Sequence, residues 1–158
     1  MSDLRIREAI TRDVEGIIAI AIDAFWREYK SREEAERVFK STVARRWKEL
    51  IREKRGIVLV AEIGGQIVGF LIFRWWFGWN GWLEAIAVRS EYRGRGIGTQ
   101  LMKTLIDRVR KLGYERVCFA IEQGSSVIDF YRKFNAVYFG ELPDNEVGRL
   151  LLYYIPIQ

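Results

Sequence analysis

Histidine is absent from the sequence, and this absence excludes more kinds of chemistry than any other feature of the composition. Without an imidazole, neither a Ser-His-Asp triad nor a Cys-His pair can activate a nucleophile. Histidine-ligated metal sites are excluded for the same reason. Any catalysis by this chain must therefore use other groups, and no metal is expected.

Cysteine and long apolar segments are also scarce. The single cysteine, Cys118, cannot form an internal disulfide, and its place in the apolar run RVCFAI favours a buried side chain over a reactive thiol. No apolar run reaches the roughly 18 residues that a membrane helix needs. The opening MSDLRIREAI lacks the basic and apolar regions of a secretory signal. These observations predict a soluble, cytoplasmic protein without a membrane partner.

The chain has 158 residues, a length that fits one domain over residues 1–158 with a substantial core. Its 26 Lys and Arg residues exceed its 21 Asp and Glu residues, and the net charge of +5 favours anionic partners. The basic residues are scattered through helical stretches without a basic tail, as on a solvated surface. Nucleic acid is therefore not the expected partner.

Hydrophobic periodicity divides the first third of the chain into a strand and two helices. LRIREA alternates apolar and polar side chains, and the apolar residues from Val14 to Phe25 follow helical spacing. A capping box, SREE, begins the second helix, with Ser31 as N-cap and Glu34 three residues later. That helix is predicted to run to about Lys54. Its apolar side comprises Val38, Phe39, Val43, Trp47 and Ile51.

The rest of the chain predicts three antiparallel strands and then alternating helices and strands. Turns are expected at Gly64-Gly65 and at Trp79-Asn80-Gly81. A later helix, capped by Gly113, has an apolar face of Leu101, Leu105, Val109 and Leu112. The order β-α-α-β-β-β-α-β-α-β-β indicates an α+β domain with a mixed, mostly antiparallel sheet and helices on both faces.

Between the third of these strands and the following helix lies RGRGIG, residues 93–98. A glycine-rich turn at a helix N-terminus presents free backbone N–H groups and about half a positive charge, so it suits a phosphate group. The P-loop pattern is absent, and the dinucleotide pattern GxGxxG would require glycine at Thr99. The turn therefore predicts a phosphate site of another type.

The stretch VRSEYRGRGIGTQLM resembles the acyl-CoA loop of the GNAT superfamily of N-acetyltransferases, whose signature is R/Q-x-x-G-x-G/A, and IDFYRKFNA is similar to that family's FYxKxGF segment. The resemblance implies acetyl-CoA as cosubstrate, with the backbone amides of the loop around its pyrophosphate and a strand against its pantetheine arm. The loop residues are Arg93, Gly94, Arg95, Gly96, Ile97, Gly98 and Thr99, and the strand residues are Ile86, Ala87 and Val88.

Two positions depart from the family pattern. Asn135 replaces a usual glycine, a change that disturbs little because asparagine tolerates the left-handed conformation of a helix cap. Gly124 stands where an asparagine often opens the late helix, which removes one expected cofactor contact.

The resemblance implies direct attack of a neutral amine on the thioester. Glu84, on the strand before the loop, is the candidate base that removes the amine proton through a water molecule. Tyr131 matches the family tyrosine that protonates the departing thiolate. Structural roles stay open for both: Glu84 as an exposed residue of a half-buried strand, and Tyr131 as a tyrosine packed on a helix face.

The acceptor that the resemblance implies is a primary amine on a small molecule or at a protein or peptide N-terminus. An aromatic cluster before Glu84 could bind a cationic amine, but core packing or a homodimer contact is favoured for it. The cluster comprises Trp75, Trp76, Phe77, Trp79 and Trp82. A non-catalytic acyl-CoA-binding or nucleic-acid-associated domain is the competing hypothesis, since fold does not fix function. The pair of Glu84 and Tyr131 argues against it.

Overall fold

Seven strands form a sheet in the computed structural model, which describes residues 3–76, 78, 80–145 and 148–158. The strands are β1 (Leu4–Glu8), β2 (Gly56–Ile63), β3 (Gln66–Trp75), β4 (Asn80–Val88), β5 (Arg116–Glu122), β6 (Val137–Asp144) and β7 (Gly148–Pro156). The helices are α1 (Val14–Phe25), α2 (Arg32–Val38), α3 (Ala44–Arg52), α4 (Ile97–Lys111) and α5 (Ile128–Arg132).

The strand order is β1-β2-β3-β4-β5-β7-β6. The pairs β1–β2, β2–β3, β5–β7 and β6–β7 are antiparallel, whereas β4 and β5 are parallel, with Trp82 opposite Cys118. The predicted α+β class with a mixed, mostly antiparallel sheet is confirmed. No helix in the described part of the chain is both long enough and apolar enough to cross a membrane.

Contacts along the chain divide it into two compact units. One unit comprises Met1–Arg74 with Glu84–Leu105, and the other comprises Trp75–Leu83 with Ile106–Gln158. The first holds β1, β2, β3 as far as Arg74, the second half of β4, α1 to α3 and most of α4. The second holds Trp75, the start of β4, the end of α4 and every later element. The single domain over residues 1–158 stays a prediction.

Helices cover both faces of β3 in the first unit. On one face, the ring of Phe70 lies 5.6 Å from that of Trp47 on α3, within a core to which α1, α2, β2 and β3 contribute. A Cβ on the neighbouring residue, Gly69, would lie on the other face, because successive residues of a strand face opposite sides of the sheet. There Ile97 Cγ2 of α4 lies 3.4 Å from the position that a Cβ on Gly69 would occupy. The predicted placement of helices on both faces is therefore confirmed.

The predicted second helix is not continuous. A π-helical turn, Phe39–Val43, separates α2 from α3, which ends at Arg52 rather than near Lys54. Phe39, Val43 and Trp47 are all buried and are four residues apart, a spacing longer than one α-helical turn of 3.6 residues. The wider i→i+5 turn keeps such residues on one face, which explains the break.

The capping box at the start of α2 forms with one change of partner. The Ser31 hydroxyl accepts a 3.0 Å hydrogen bond from the Glu34 N–H, as predicted. The Glu34 carboxylate accepts a 2.9 Å bond from the Lys30 N–H, whereas the capping-box pattern would use the N–H of Ser31.

Two turn predictions had different outcomes. Gly64 and Gly65 join β2 to β3 with positive φ angles of 57° and 79°, as a tight hairpin turn requires. The second turn lies earlier than predicted, because Asn80 and Gly81 already belong to β4 and the Trp76 N–H donates to the Asn80 carbonyl. Phe77 and Trp79 lie outside the described residues.

The apolar face of α4 is one residue shorter than predicted. Leu101, Leu105 and Val109 are fully buried, but Leu112 is 57% exposed. The helix ends at Lys111, and Gly113 follows with a φ of +81° while its N–H donates to the Arg110 carbonyl. Leu112 thus belongs to the C-terminal cap, where the helical period no longer directs a side chain toward the core.

Candidate active site

The glycine loop before α4 has the backbone of an anion site. Gly94 and Gly96 adopt φ angles of +75° and +81°, a region that side chains with a Cβ rarely enter. Among the described residues, no atom beyond the adjacent residues of the chain lies within 4 Å of the position that a Cβ on either glycine would take, so the space beside the backbone is open. The loop leads directly into the 15-residue helix α4, and the N-terminus of a helix carries about half a positive charge. These features fit a bound pyrophosphate.

The two arginines of the loop stabilise the loop itself. Arg93 Nε donates a 3.1 Å hydrogen bond to the Val88 carbonyl, which joins the loop to the end of β4. The Arg95 guanidinium lies over the Tyr92 ring, 5.1 Å from its centroid. Both side chains are nonetheless exposed, so their remaining N–H groups face water and can meet an anion.

The strand residues that the sequence assigns to the pantetheine arm lie at the end of β4. Ile86, Ala87 and Val88 are all half-buried, and Ala87 packs against the core of the first unit. The Val88 carbonyl already accepts from Arg93. The pairing of this strand with a pantetheine arm stays a prediction.

Glu84, the predicted base, has partners on both carboxylate oxygens. Arg46 Nη2 donates a 2.6 Å hydrogen bond to Oε1, and Trp47 Nε1 donates a 2.9 Å bond to Oε2. Arg74 Nη2 forms an ion pair with Oε2 at 3.5 Å. The Glu84 side chain is 20% exposed. It is therefore held in place by two cations and an indole, and it is not a freely exposed strand residue.

Sequence reasoning missed Arg46 and Arg74 as partners of Glu84. The helical pattern placed Trp47 among apolar residues, and it is buried as expected, but its indole N–H also serves Glu84. Neither arginine lies in a motif, and Arg46 is 38 residues away from Glu84 in the chain. Only the packing of α3 beside β4 shows that Arg46 and Glu84 meet.

Tyr131, the predicted acid, belongs to the second unit and is 6% exposed. Its ring centroid lies 4.1 Å from that of Phe119 on β5 and 5.1 Å from that of Phe130. Burial raises the pKa of Tyr131 to about 12. Its hydroxyl is thus fully protonated at neutral pH, as a proton donor must be.

The described tryptophans of the aromatic cluster form pairs within the second unit. Trp75 stacks on Tyr114 with ring centroids 4.2 Å apart, and the edge of Trp76 meets Trp82 at 5.7 Å. Trp75 and Trp82 are half-buried, and Trp76 is 56% exposed. None of the three is fully buried in this structure, and the choice between a homodimer contact and an amine pocket stays open.

Both departures from the family pattern occur in left-handed backbone. Asn135 has a φ of +62° and donates its N–H to the Arg132 carbonyl, so it takes the cap position that a glycine would fill. Gly124 has a φ of +83°, a conformation that explains a glycine at this position. In the part of the chain that the structure describes, no three His, Cys, Asp or Glu side chains converge as a metal site would require.

Comparison with known proteins decides the family. The model of the acetyltransferase (GNAT) family matches residues 19–136. The chain belongs to the acetyltransferase (GNAT) family. A curated relative, the L-methionine sulfoximine/L-methionine sulfone acetyltransferase of Pseudomonas aeruginosa, is 29% identical in an alignment of 155 positions that covers 91% of this chain and 85% of the relative.

Solved structures of N-acetyltransferases share the fold over nearly the whole chain. The ribosomal-protein-alanine N-acetyltransferase of Brucella melitensis has a TM-score of 0.74 at 27% identity, over 95% of this chain and 98% of that chain. The PaiA N-acetyltransferase of Thermoplasma acidophilum, solved in complex with coenzyme A, has a TM-score of 0.75 at 19% identity, over 94% of this chain and 97% of that chain.

This GNAT protein is therefore an acyltransferase, as the resemblance of its loop implies. The competing hypothesis of a non-catalytic binding domain loses support, because the relatives are named as enzymes.

Proposed function

We propose that this GNAT protein transfers the acetyl group of acetyl-CoA directly to the primary amine of a small amino-acid-like molecule. The observation that carries the proposal is the loop at the start of α4, where Gly94 and Gly96 hold left-handed backbone beside open space. Such a loop suits the pyrophosphate of coenzyme A. The coenzyme A complex of a GNAT protein with the same fold supports this choice of cosubstrate.

In the proposed reaction, the amine nitrogen forms a bond to the acetyl carbon and the carbon–sulfur bond breaks. Acetyl-CoA supplies the acetyl group already activated as a thioester. Glu84 receives the amine proton through a water molecule, since its two hydrogen-bond donors, Arg46 and Trp47, leave roughly two of its four lone-pair sites unused. Its fixed position favours one orientation of that water.

We assign the second proton transfer to Tyr131. The leaving thiolate, whose thiol has a pKa of about 8.5, takes up the phenolic proton. A phenol with a pKa of about 12 gives up that proton reluctantly. Tyr131 therefore acts best as a hydrogen-bond donor that completes the transfer late, after charge has built up on the sulfur.

The acceptor class rests on the relatives. The Pseudomonas aeruginosa enzyme is named for methionine derivatives, in which the basic amine is that of a free amino acid. The Brucella melitensis enzyme is named for an alanine of a ribosomal protein. We favour the free amino acid, because that relative was matched over 91% of this chain by sequence. The cytoplasmic location and the homodimer stay predictions.

A two-part assay tests the function. Calorimetry measures acetyl-CoA binding, and thiol release is followed with a panel that includes L-methionine sulfone, a peptide with an N-terminal alanine and an aliphatic diamine. We expect binding and thiol release with at least one α-amino acid. Binding without release on any amine would contradict the proposed enzyme activity, and release only with the peptide would move the acceptor to protein N-termini.

A further inference from the structure

Arg46, Glu84 and Arg74 form a charged cluster in the first unit, called here the arginine cluster. It holds two guanidinium groups and one carboxylate, which leaves it one positive charge in excess. Charges that leave water are usually paired with an opposite charge. The excess positive charge beside the strand of the candidate site therefore favours an anion.

Hydrogen bonding in the arginine cluster is incomplete. Arg74 Nη2 is buried and, among the described residues, has no hydrogen-bond partner, although it lies 3.5 Å from Glu84 Oε2. Arg46 uses its Nη2 for Glu84. A guanidinium carries five N–H groups in a planar fork, so both arginines have donors left over. Buried donors without a partner are rare in folded proteins, and a bound ion or water is one explanation for them.

The arginine cluster is accessible and lies close to the expected thioester. The side chains of Arg46 and Arg74 are 46% and 32% exposed, so a small anion can reach them from solvent. Glu84 precedes Ile86, at the start of the proposed pantetheine strand, by two residues, or about 7 Å along the strand. In an α-amino acid, the carboxylate and the reacting amine are attached to the same carbon atom. One molecule can therefore place its amine beside Glu84 and its carboxylate on an arginine.

We propose that Arg46 and Arg74 bind the carboxylate of the acceptor, so that the enzyme selects free amino acids over peptides and over amines that lack a carboxylate. This inference rests on the proposed function and names the substrate class of that site. Guanidinium and carboxylate groups match in planar, bidentate geometry, which gives orientation as well as affinity. A peptide N-terminus lacks the α-carboxylate, which is bound in an amide.

Binding of the carboxylate also changes the state of Glu84. When Arg46 turns from Glu84 to the acceptor, Oε1 of Glu84 loses the donor that it has in this structure. That oxygen then accepts the hydrogen bond of the water that takes the amine proton. Trp47 keeps its hydrogen bond to Oε2 during the exchange. Binding of the acceptor carboxylate thus frees Oε1 of Glu84 to act as the base.

The test compares the α-amino acid that the enzyme acetylates fastest, starting from L-methionine sulfone, with the carboxamide of the same compound. The variants are Arg74→Gln and Arg46→Gln, and Arg45→Gln is the control, because Arg45 is also an exposed arginine of α3. Loss of one charge-assisted pair corresponds to roughly a 10–100-fold change in affinity. We expect the carboxamide to raise KM by that factor in the wild type.

In Arg74→Gln and Arg46→Gln, KM for the acid should rise about as much, roughly 10–100-fold, while KM for the carboxamide stays unchanged. Arg45→Gln should match the wild type with both acceptors. Calorimetry on protein saturated with coenzyme A provides a readout apart from turnover: the acid should bind the wild type and lose affinity in both variants. If Arg74→Gln does not fold, the exposed Arg46→Gln carries the same comparison.

Equal KM values for acid and carboxamide, with normal turnover, would overturn the carboxylate site and leave acetyl transfer intact. The same conclusion would follow if only peptides or amines without a carboxylate were acetylated. Acetyl-CoA binding without turnover of any amine would instead overturn the proposed function, and the carboxylate site with it.

Discussion

Arg46 on α3 donates a 2.6 Å hydrogen bond to Glu84 on β4, two residues that are 38 positions apart in the chain. The neighbouring Trp47 donates to the other oxygen of the same carboxylate at 2.9 Å. Because α3 follows directly on the π-helical turn Phe39–Val43, the phase of that turn sets where both donors point. The position of the candidate base thus depends on a helix that lies outside the sequence motifs of the predicted site.

Replacement of Glu84 tests its role as the base. Glu84→Gln keeps the shape of the side chain but removes the proton acceptor, so the rate at neutral pH should fall by roughly 10²–10⁴-fold. The deficit should shrink as pH rises toward the pKa of the acceptor amine, since free amine then forms without the enzyme. The pH–rate profiles of both proteins on one acceptor provide the measurement.

Glu62→Gln is the matched control for this variant. Glu62 is also 20% exposed and also bonded to an arginine, Arg7, but it lies on β2 outside the candidate site. Its replacement should leave the pH–rate profile unchanged. Parallel profiles for Glu84→Gln and the wild type would show that Glu84 does not accept the proton.

Valine at Gly96 tests the loop. A side chain at a φ of +81° strains the backbone and fills the open space that the phosphate would use, so Gly96→Val should abolish acetyl-CoA binding in calorimetry. Gly65→Val separates strain from binding, because Gly65 has a φ of +79° and equally open surroundings in the hairpin turn. We expect a similar loss of thermal stability in both variants but normal acetyl-CoA affinity in Gly65→Val. Normal affinity in Gly96→Val would refute the loop assignment.

Much of the fold could be predicted from the sequence because its signals are local. Alternation marked β1, helical spacing marked α1, and paired glycines marked the turn between β2 and β3. The break at Phe39–Val43 was missed, because a spacing of four residues fits an α-helix nearly as well over a short segment. Leu112 was misplaced because the helix ends one residue before it.

The candidate site could be predicted only where it is contiguous in the chain. The loop from Arg93 to Thr99 carries a motif, and the left-handed angles of Gly94 and Gly96 agree with it. The arginine cluster has no motif, because its members come from α3, β3 and β4 and meet only through packing. A single sequence carries no local signal for contacts between residues that are so far apart in the chain.

The pair of Arg7 and Asp13 should make stability depend on acid pH. Arg7 donates to both oxygens of the buried Asp13 carboxylate, at 2.8 and 3.0 Å, and this bond holds the pKa of Asp13 below its usual value. Because the pKa of Asp13 is lower in the folded state, Asp13 stabilises the fold at pH values above its unfolded pKa of about 3.9. This contribution is lost as pH falls from that value through the lower pKa of the folded state.

Thermal melts of Arg7→Gln and the wild type at several pH values measure this effect. The variant should be less stable at pH 7, and the difference should narrow as pH falls from about 4 toward the lowered pKa of Asp13 in the folded protein. Arg32→Gln removes an exposed ion pair with Asp23 instead and should leave stability unchanged. A difference that is independent of pH would mean that Arg7 acts through packing alone.

Tyr131 should affect stability at the alkaline end. Burial raises the pKa of Tyr131 to about 12, above the unfolded value of about 10. Its contribution to the free energy of unfolding is therefore complete below pH 10 and is lost as pH rises toward 12. Two pKa units correspond to roughly 3 kcal/mol at most. Tyr131→Phe should remove this part of the alkaline loss in melts between pH 9 and about 12.

The same variant separates catalysis from packing. Tyr131→Phe keeps the ring beside Phe119, so acetyl-CoA affinity should stay constant while kcat falls. Tyr153→Phe is the control, because Tyr153 also stacks on Phe119 but no proton transfer is proposed for it. An unchanged kcat for Tyr131→Phe, with chemistry rate-limiting, would leave Tyr131 a structural role only.

Mass spectrometry of a single turnover tests direct transfer itself. Enzyme in excess over acetyl-CoA is mixed with the best acceptor amine, and free coenzyme A, acetylated amine and intact protein are quantified in the same quenched samples. Direct transfer predicts that coenzyme A and acetylated amine appear together in equal amounts, while the protein never gains the mass of an acetyl group. Release of coenzyme A before the acetylated amine, with a transient acetyl group on the protein, would contradict the account.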